Sequence, residues 1–329
     1  MEDTGDKKNN KSSGNNKNKG IYLSVLVVLL LGISGFVFRG YLAGAFLGRP
    51  VDDTGKTAVT DTASDKAGTE TPAASGNVGN TGAKTGDNPT NTPTSTSGLS
   101  NTTKGWGLKR NNNHQQPEMP SSITAFLKKY GAYWIGSSGS KVLYLTFDEG
   151  YENGYTAKIL DILKANDVKA AFFVTGHYLR SQPDLVRRMV NEGHIVGNHT
   201  DTHPSLPDVS DAQIKQELST VEQEFEKATG RKGMKYLRPP KGEYSERTLA
   251  VTRELGYHNI FWSLALVDWV PMPGGPQEAY DSVMGNLHNG ALILLHAVSK
   301  DDTEALDRIL KDAKAQGYSF KTLDDLVSS

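Results

Sequence analysis

The sequence predicts an α/β fold: a distorted or incomplete (β/α) barrel of about seven parallel strands. Between residues 119 and 329, short apolar segments alternate with segments whose apolar residues recur every three or four positions. The apolar segments are almost uninterrupted, which is typical of parallel strands covered on both faces. An open doubly wound sheet is the other solution. The barrel is preferred because polar residues follow five different strands, and in a barrel those strand ends form one ring.

The predicted elements alternate in order along the chain. Strands are predicted at 141–147, 170–175, 194–197, 235–237, 259–264, 291–295 and 319–322, and helices at 154–165, 183–191, 211–228, 246–254, 277–287 and 303–315. Pro183 suits the first turn of a helix, and Ser210 is a typical N-cap. Gly230 stands where the helix that begins after Ser210 is expected to end.

The N-terminal third of the chain predicts a membrane-anchored protein. Residues 1–20 are polar and lysine-rich, and residues 21–38 are uncharged and apolar. Eighteen helical residues span about 27 Å, close to the thickness of a bilayer core. An uncleaved anchor with a cytoplasmic tail is preferred to a signal peptide cleaved near Ala45. The Thr/Ser/Gly/Asn-rich residues 39–104 predict a disordered linker, which leaves 105–329 as an extracytoplasmic catalytic domain.

Composition excludes several classes of function. The chain has 36 Lys and Arg against 37 Asp and Glu, so it carries no excess of positive charge for nucleic acid. It contains no cysteine, which excludes disulfides, iron–sulfur clusters and thiolate zinc sites. Any metal ion must therefore bind to histidine and carboxylate side chains, and any covalent nucleophile must be oxygen or nitrogen.

Two pairs of residues indicate metal or acid–base chemistry. His199 and His203 lie four residues apart on a loop that leaves a predicted strand. This position favours a shared divalent metal ion over two unrelated surface histidines. Asp148 and Glu149 end another strand, where two carboxylates are costly unless they are paired or bind metal. Adjacent acids also point in different directions, so one can bind metal while the other acts as a base.

Three further strand ends carry candidate groups. His296 follows the apolar strand 291–295 and is a candidate acid, although a single histidine there is also compatible with a packed core. Arg238 and the Asp268-Trp269 pair could hold such catalytic groups in place, or could form a structural ion pair. These positions share the predicted carboxyl edge of the sheet, and that common location favours a functional role.

These residues form five ordered motifs that resemble the polysaccharide deacetylase (NodB-homology) family, carbohydrate esterase family 4. The resemblance extends from Val142 to the C-terminus. The motifs are Thr146-Phe147-Asp148-Glu149-Gly150, His199-Thr200-Asp201-Thr202-His203, Arg238-Pro239-Pro240, Asp268-Trp269 and Leu294-Leu295-His296. Residues 109–117, 151–156 and 238–243 further resemble the delta-lactam-biosynthetic de-N-acetylases, which act on N-acetylmuramic acid of peptidoglycan, mainly in the spore cortex.

The resemblance implies a metal-dependent hydrolase that removes N-acetyl groups and releases acetate. It implies Zn²⁺, or Co²⁺ or Mn²⁺, as the cofactor. By this resemblance, His199 and His203 are metal ligands. Glu149 stands where the broad family has Asp as third ligand, and its longer side chain would ligate in a different geometry, ligate through water, or not ligate at all. Asp148 is the general base, oriented by Arg238, and His296 is the general acid, held by Asp268. Leu294 lines the acetyl pocket, and the expected substrate contacts are Lys241, Trp269 and Tyr151.

Lys241 stands where the broad family has Tyr, and its charge favours an acidic sugar such as muramic acid. The expected binding partner is therefore the peptidoglycan glycan strand. The chain is also expected to bind the membrane through its single N-terminal helix, to bind no nucleic acid and to be a monomer. An N-acetylglucosamine deacetylase and a catalytically impaired cell-wall sugar-binding module are the alternatives. The second alternative is prompted by Glu149.

Overall fold

The computed structural model describes Thr96 and residues 98–328 of the 329-residue chain. The predicted cytoplasmic tail (1–20), the predicted anchor (21–38) and most of the predicted linker (39–104) lie outside the described residues. Within the described part of the chain, no helix combines the length and the apolar composition needed to cross a bilayer. The predicted domain from residue 105 onward is described except for its last residue.

The domain is organised around one parallel sheet. The strands are β1 (Lys104–Gly105), β2 (Ala132–Tyr133), β3 (Val142–Glu149), β4 (Ala171–Val174), β5 (Ile195–Asn198), β6 (Tyr236–Leu237), β7 (Glu243–Tyr244), β8 (His258–Ile260), β9 (Leu264–Ala265), β10 (Ala291–His296) and β11 (Ser319–Phe320). Among the described residues the sheet has nine strands, in the order β2-β8-β6-β5-β4-β3-β10-β9, and β11 pairs with the start of β3. β1 and β7 form a separate antiparallel pair. The predicted parallel α/β sheet is confirmed.

Helices cover the sheet and follow most of its strands. They are α1 (Ser121–Lys129), α2 (Thr156–Ala165), α3 (Gly176–Ser181), α4 (Pro183–Asn191), α5 (Asp211–Thr229), α6 (Glu246–Glu254), α7 (Gly275–Asn286), α8 (Lys300–Ala315) and α9 (Leu323–Val327). Ser210 caps α5 as predicted, and Gly230 ends that helix with a φ of 71°. α8 begins three residues earlier than predicted, because the Ser299 hydroxyl accepts the Asp302 N–H and caps it there.

The predicted single strand 259–264 is wrong, because the chain changes hydrogen-bonding partners within it. β8 pairs with β6 and β2, whereas β9 pairs with β10 near the other end of the sheet. Between them, Phe261 N donates to Tyr133 O and Ser263 N donates to Leu292 O. Only three residues join β8 to β9, so the sheet must curl until its two ends approach each other. The result is a curled, incomplete barrel of parallel strands.

The curled sheet separates two groups of buried side chains. Leu145 and Phe147 of β3 belong to the larger group, which contains the apolar residues of the surrounding helices. Tyr144 belongs to a smaller group on the inner face, with Phe173 and Tyr236. Successive residues of β3 therefore face opposite sides of the sheet, as strand geometry requires. This alternation decides which of the two adjacent acids at the end of β3 faces the inside of the barrel.

An N-terminal arm, residues 104–116, lies against the segment that joins β8 to β9. Trp106 stacks on Phe261 with ring centroids 4.4 Å apart, and its indole N–H donates to Trp262 O at 3.0 Å. Arg110 donates to Ala265 O at 2.7 Å. The Trp106 backbone N–H donates to Gly242 O at 2.9 Å. The arm therefore supports both the joining segment and the loop that follows β6.

Candidate active site

Asp148 and Arg238 form a buried ion pair on the inner face of the sheet. Arg238 is fully buried, and its Nη1 lies 2.7 Å from Asp148 Oδ1. The same guanidinium donates to Thr146 Oγ1 at 2.9 Å and to the carbonyl oxygens of Ile260 and Phe261 at 3.2 and 3.4 Å. This network fixes the orientation of the guanidinium, which is a rigid fork with five donors. The Asp148 carboxylate is thereby held in one position.

Asp148 is ionised at neutral pH despite its burial. Burial alone would raise the pKa of its carboxyl, but the charge of Arg238, together with smaller contributions from His199 and His296, lowers the pKa below the ordinary value. The burial of Arg238 has a matching cost, since it lowers the pKa of the guanidinium while Asp148 raises it. Each charge is therefore tolerated because the other is present.

His199 and His203 lie beside this pair, with their ring centroids 4.8 Å apart. His199 Nδ1 is 2.8 Å from the Arg238 carbonyl oxygen, so Nδ1 carries the proton and Nε2 keeps its lone pair. That Nε2 lies 3.5 Å from Asp148 Oδ2. Burial is the main cause that lowers the pKa of both rings, in His203 to about 3. Both imidazoles are therefore neutral at physiological pH.

The loop that carries the two histidines is held by side chains on both sides of the strand end. Asn198 Oδ1 accepts the Thr200 N–H at 2.8 Å, and Thr200 Oγ1 accepts the His203 N–H at 3.0 Å. Glu217 of α5 accepts both the N–H and the hydroxyl of Thr202, at 2.7 and 2.6 Å. Thr200 and His203 have φ values of 66° and 60°, a conformation that costs free energy in residues other than glycine. These bonds hold the strained loop in place.

His296, the last residue of β10, is hydrogen-bonded to Asp268. Asp268 Oδ1 lies 2.6 Å from His296 Nδ1, and Oδ2 accepts the His296 backbone N–H at 2.7 Å. Burial would lower the pKa of His296, but the hydrogen bond and charge of Asp268 outweigh it, so the pKa is raised. Trp269 packs edge-on against the imidazole, with centroids 5.2 Å apart. His296 is therefore oriented and predisposed to carry a proton.

The register of the sheet brings the candidate base and the candidate acid together. In the parallel pairing of β10 with β3, His296 is the direct partner of Asp148. Neighbouring strands are about 4.8 Å apart, so the two side chains emerge side by side on the inner face. A carboxylate and an imidazole with a raised pKa at this spacing can remove one proton and deliver another across a single bound group. Asp148, Arg238, His199, His203, Asp268 and His296 therefore share one site.

Glu149 does not join this site. It is the last residue of β3 and is fully buried on the helix side of the sheet, where Thr156 Oγ1 lies 3.3 Å from its Oε1. Burial, reinforced by the charge of Glu152, raises the pKa of Glu149 well above its ordinary value. Because Asp148 faces inward, its neighbour must face outward. The carboxyl at the position where the family has its third metal ligand is thus packed beside α2, and the possibility that Glu149 does not bind the metal ion is the one that this arrangement favours.

If Glu149 lies outside the site, Glu149→Gln should leave any hydrolytic activity and any affinity for a divalent metal ion within about threefold of wild type, because glutamine has the shape of a protonated glutamate. The raised pKa of Glu149 also makes stability fall as the pH rises above the ordinary value of 4.5. The glutamine variant should therefore gain stability over wild type as the pH increases. Urea unfolding at about pH 5 and pH 8 measures this difference.

Metal affinity, measured by competition with a chromophoric chelator, provides the second readout for this variant. Asp148→Asn, on the opposite face of the same strand, is the matched contrast and should lose activity. A loss of metal affinity of tenfold or more in Glu149→Gln would show instead that Glu149 is a ligand, since such losses are typical when the support of a metal site is removed.

Three of the four predicted substrate contacts, Leu294, Trp269 and Lys241, lie near the candidate site, and Tyr151 follows the end of β3. Leu294 is buried on β10, two residues before His296 and therefore on the same face. Trp269 and Tyr151 are large side chains that remain about half exposed, at 44% and 52%. Lys241 is exposed in the turn after Arg238, has a φ of 59°, and is close enough for its charge to lower the pKa of His203. Trp269, beside His296, and the charge of Lys241, near His203, therefore border the candidate site.

The two imidazoles fit a metal ion by the chemistry of their donor atoms. Metal-binding histidines usually donate the other ring N–H to a carbonyl or carboxylate, as His199 does to the Arg238 carbonyl. Both rings are neutral, which ligation requires. In residues 98–328, however, no group of three or more His, Asp or Glu side chains is arranged to hold a metal ion. The described residues thus supply two histidine donors and no third donor from Glu149.

Three supporting residues were not predicted from the sequence. Thr146 bridges Arg238 and β10, since its hydroxyl accepts from the guanidinium and donates to Ile293 O at 2.6 Å. Asp302, in the first turn of α8, contacts Asp268. The Ser299-x-x-Asp302 spacing is a capping pattern that would have placed the start of α8 correctly. Trp106 supports the joining segment, and no local sequence pattern indicates its contact with Phe261.

The chain is similar to polysaccharide deacetylases in both sequence and fold. A family model described as polysaccharide deacetylase matches residues 136–260. An uncharacterized 30.6 kDa protein of Geobacillus stearothermophilus is 56% identical over 223 residues, which are 68% of this chain and 84% of that protein. The peptidoglycan-N-acetylmuramic acid deacetylase PdaA of Bacillus subtilis is 48% identical over 223 residues, which are 68% of this chain and 85% of PdaA.

A solved structure of Bacillus subtilis PdaA, described as a family 4 carbohydrate esterase, matches the fold with a TM-score of 0.67 at 47% identity. The match covers 69% of this chain and 98% of that chain. A peptidoglycan-N-acetylglucosamine deacetylase of Bacillus cereus is more distant, at 33% identity over 209 residues, which are 62% of this chain and 75% of that protein.

Proposed function

Because this chain belongs to the polysaccharide deacetylase family, carbohydrate esterase family 4, we propose that it hydrolyses N-acetyl groups of peptidoglycan sugars, and specifically those of N-acetylmuramic acid. The observation that carries the activity is the register pairing of Asp148 with His296 on the inner face of the barrel. The muramic acid specificity is supported by the 48% identity to PdaA and by the position of Lys241.

Asp148 is the general base. Its carboxylate is ionised at neutral pH and fixed by Arg238, so it can accept a proton from the water that attacks the acetyl carbonyl. His296 is the general acid, because Asp268 favours its protonated form. His296 Nδ1 is bound to Asp268, which leaves Nε2 to protonate the departing sugar amine. Leu294, beneath His296, provides an apolar wall for the acetyl methyl group.

His199 and His203 are proposed to hold a divalent metal ion, Zn²⁺. When bound there, such an ion would polarise the acetyl carbonyl and lower the pKa of an attacking water. The role of this chain is to present two neutral imidazoles in a fixed loop, one of them oriented by the Arg238 carbonyl. The Arg238 side chain and backbone therefore support the base and the metal-binding histidine at once.

The choice between sugars depends on the lactyl carboxylate, which muramic acid carries and glucosamine lacks. Lys241 places a positive charge at the rim near His203, where it can attract that carboxylate. Lys241→Ala should raise KM for muramoyl substrates by roughly threefold to fivefold, the size expected for one exposed ion pair, and leave KM for neutral chitin fragments unchanged. Lys158→Ala, an exposed lysine on α2, is the control. Equal effects on both substrates would contradict the assignment.

Mass spectrometry of peptidoglycan fragments tests the proposed function. Purified protein, loaded with Zn²⁺, Co²⁺ or Mn²⁺, is incubated with peptidoglycan, which is then digested to muropeptides. The expected result is loss of one acetyl group from the muramic acid residue, together with release of acetate. Loss from glucosamine would identify the alternative substrate. No loss with any of the metals would favour a sugar-binding module without turnover.

We further propose that the domain acts outside the membrane, tethered by residues 21–38 through the linker 39–104. This proposal rests on the apolar character of residues 21–38 and on the polar composition of the linker. Detergent dependence of extraction, compared between the full chain and a chain lacking residues 1–38, tests the tether. Equal extraction of both without detergent would exclude it.

A further inference from the structure

Asp302 is a buried carboxyl group that the catalytic roles above do not use. It lies in the first turn of α8, three residues after the Ser299 cap, and its side chain is 2% exposed. Among the described residues, no N–H or O–H group donates to either of its oxygens. It faces the carboxylate of Asp268, which is equally buried. The Ser299 hydroxyl and the Asp301 carboxylate are the other groups near it.

Two carboxylates in contact inside a protein cannot both be ionised without a large cost. Asp268 is the ionised member. Burial would raise its pKa, but the two hydrogen bonds from His296, the hydrogen bond with Asp302 and the charge of His296 together lower it. Burial and the hydrogen bond with Asp268 raise the pKa of Asp302 to about 10. The N-terminus of α8 favours a negative charge, but that effect is smaller than the cost of a second buried charge.

We infer that Asp302 is a positioning residue for the general acid: its protonated carboxyl donates a hydrogen bond to Asp268 and holds that carboxylate against the His296 imidazole. The proton gives Asp302 a donor, so neither carboxyl is left unsatisfied. This inference rests on the proposed function only in taking His296 as the general acid.

The hydrogen bond from Asp302 also decreases the charge that Asp268 presents to His296. Asp268 then stabilises the imidazolium less, and His296 releases its proton to the sugar amine more readily. Removing the donor should raise the pKa of His296 and shift the alkaline limb of kcat to higher pH. The titratable and charged groups that face His296 from the surrounding elements are Asp148, His199, His203, Arg238 and Asp268.

Two substitutions separate the donor from the volume of the side chain. Asp302→Asn keeps an N–H donor, and Asp302→Leu removes it while filling the space. We expect Asp302→Asn to retain the wild-type titration of His296 and kcat within about threefold, and Asp302→Leu to raise the pKa of His296 by about one unit and to lower kcat about tenfold at neutral pH. Asp301→Asn is the matched control, because Asp301 is the neighbouring carboxylate in the same turn of α8 and its hydrogen-bond partner is the Met272 N–H.

The readout is a side-chain ¹H–¹³C NMR titration of His296 in the full chain without substrate, together with the pH profile of kcat. In wild type, the ¹³C carboxyl signal of Asp302 should keep its protonated position between about pH 5 and pH 8, a measurement that needs no variant. An ionised Asp302 in that range, or equal behaviour of the asparagine and leucine variants, overturns the inference. If Asp302→Leu shifts the titration of His296 but leaves the pH profile of kcat unchanged, Asp302 positions Asp268 as inferred, and His296 is not the general acid.

Discussion

Asp148→Asn should lower kcat for N-deacetylation by about a thousandfold, since a positioned general base contributes roughly 10² to 10⁴ to the rate. Asparagine keeps the shape of Asp148 and can still accept the hydrogen bond from Arg238, but it cannot accept a proton. The wild-type rate should fall on the acid side only near or below pH 3.8, because Arg238, His199 and His296 outweigh burial and hold the pKa of Asp148 below that value. Acetate release measured as a function of pH tests both statements.

The asparagine variant needs two controls, because it leaves the Arg238 charge buried without its counterion. Activity must be measured well below the unfolding temperature of the variant, which circular dichroism provides. Asp208→Asn, an exposed carboxylate after the histidine loop, should have the activity of wild type. Activity of Asp148→Asn within tenfold of wild type would mean that another group removes the proton.

The sequence alone predicts the elements of the site better than the geometry within it. The positions of Asp148, His199, Arg238, Asp268 and His296 near strand ends were predicted, because parallel strands bring their carboxyl ends to one edge whatever the details of the curl. The orientation of Glu149 was not predicted. Strand β3 is apolar on both faces, so no alternation of polar and apolar residues shows which side each end residue takes.

Other differences arise where long-range contacts decide the structure. The segment 259–264 has the composition of one strand, but its hydrogen-bonding partners lie near opposite ends of the sheet, and only the curl reveals that division. The support of this segment by Trp106 joins residues that are 155 positions apart, which no local pattern can indicate. The contact of Asp302 with Asp268 depends in turn on how α8 begins after His296.

Arg238→Met should destabilise the domain by about 3 to 5 kcal/mol, because it leaves the Asp148 carboxylate buried without a partner. Arg238→Lys should recover little of this loss, since a single ammonium cannot replace the bonds to Asp148, Thr146 and the Ile260 carbonyl together. Arg308→Met, which removes an exposed ion pair on α8, is the control and should cost less than about 1 kcal/mol. Urea unfolding at neutral pH measures all three variants.

The pH dependence distinguishes a lost ion pair from a lost packing contact. In wild type, Asp148 has a lowered pKa and stabilises the fold above pH 3.8, and this contribution is lost as the pH falls. Without Arg238 the pKa of Asp148 rises above the unfolded value, so the variant loses stability as the pH increases. The difference in stability between wild type and Arg238→Met should therefore be smallest near pH 3 and grow toward neutral pH.

The double variant Asp148→Asn/Arg238→Met should be more stable than the sum of the single losses predicts. Additive losses, or a difference that does not change with pH, would show that Arg238 acts through packing, and the ionised state of Asp148 would then need another cause.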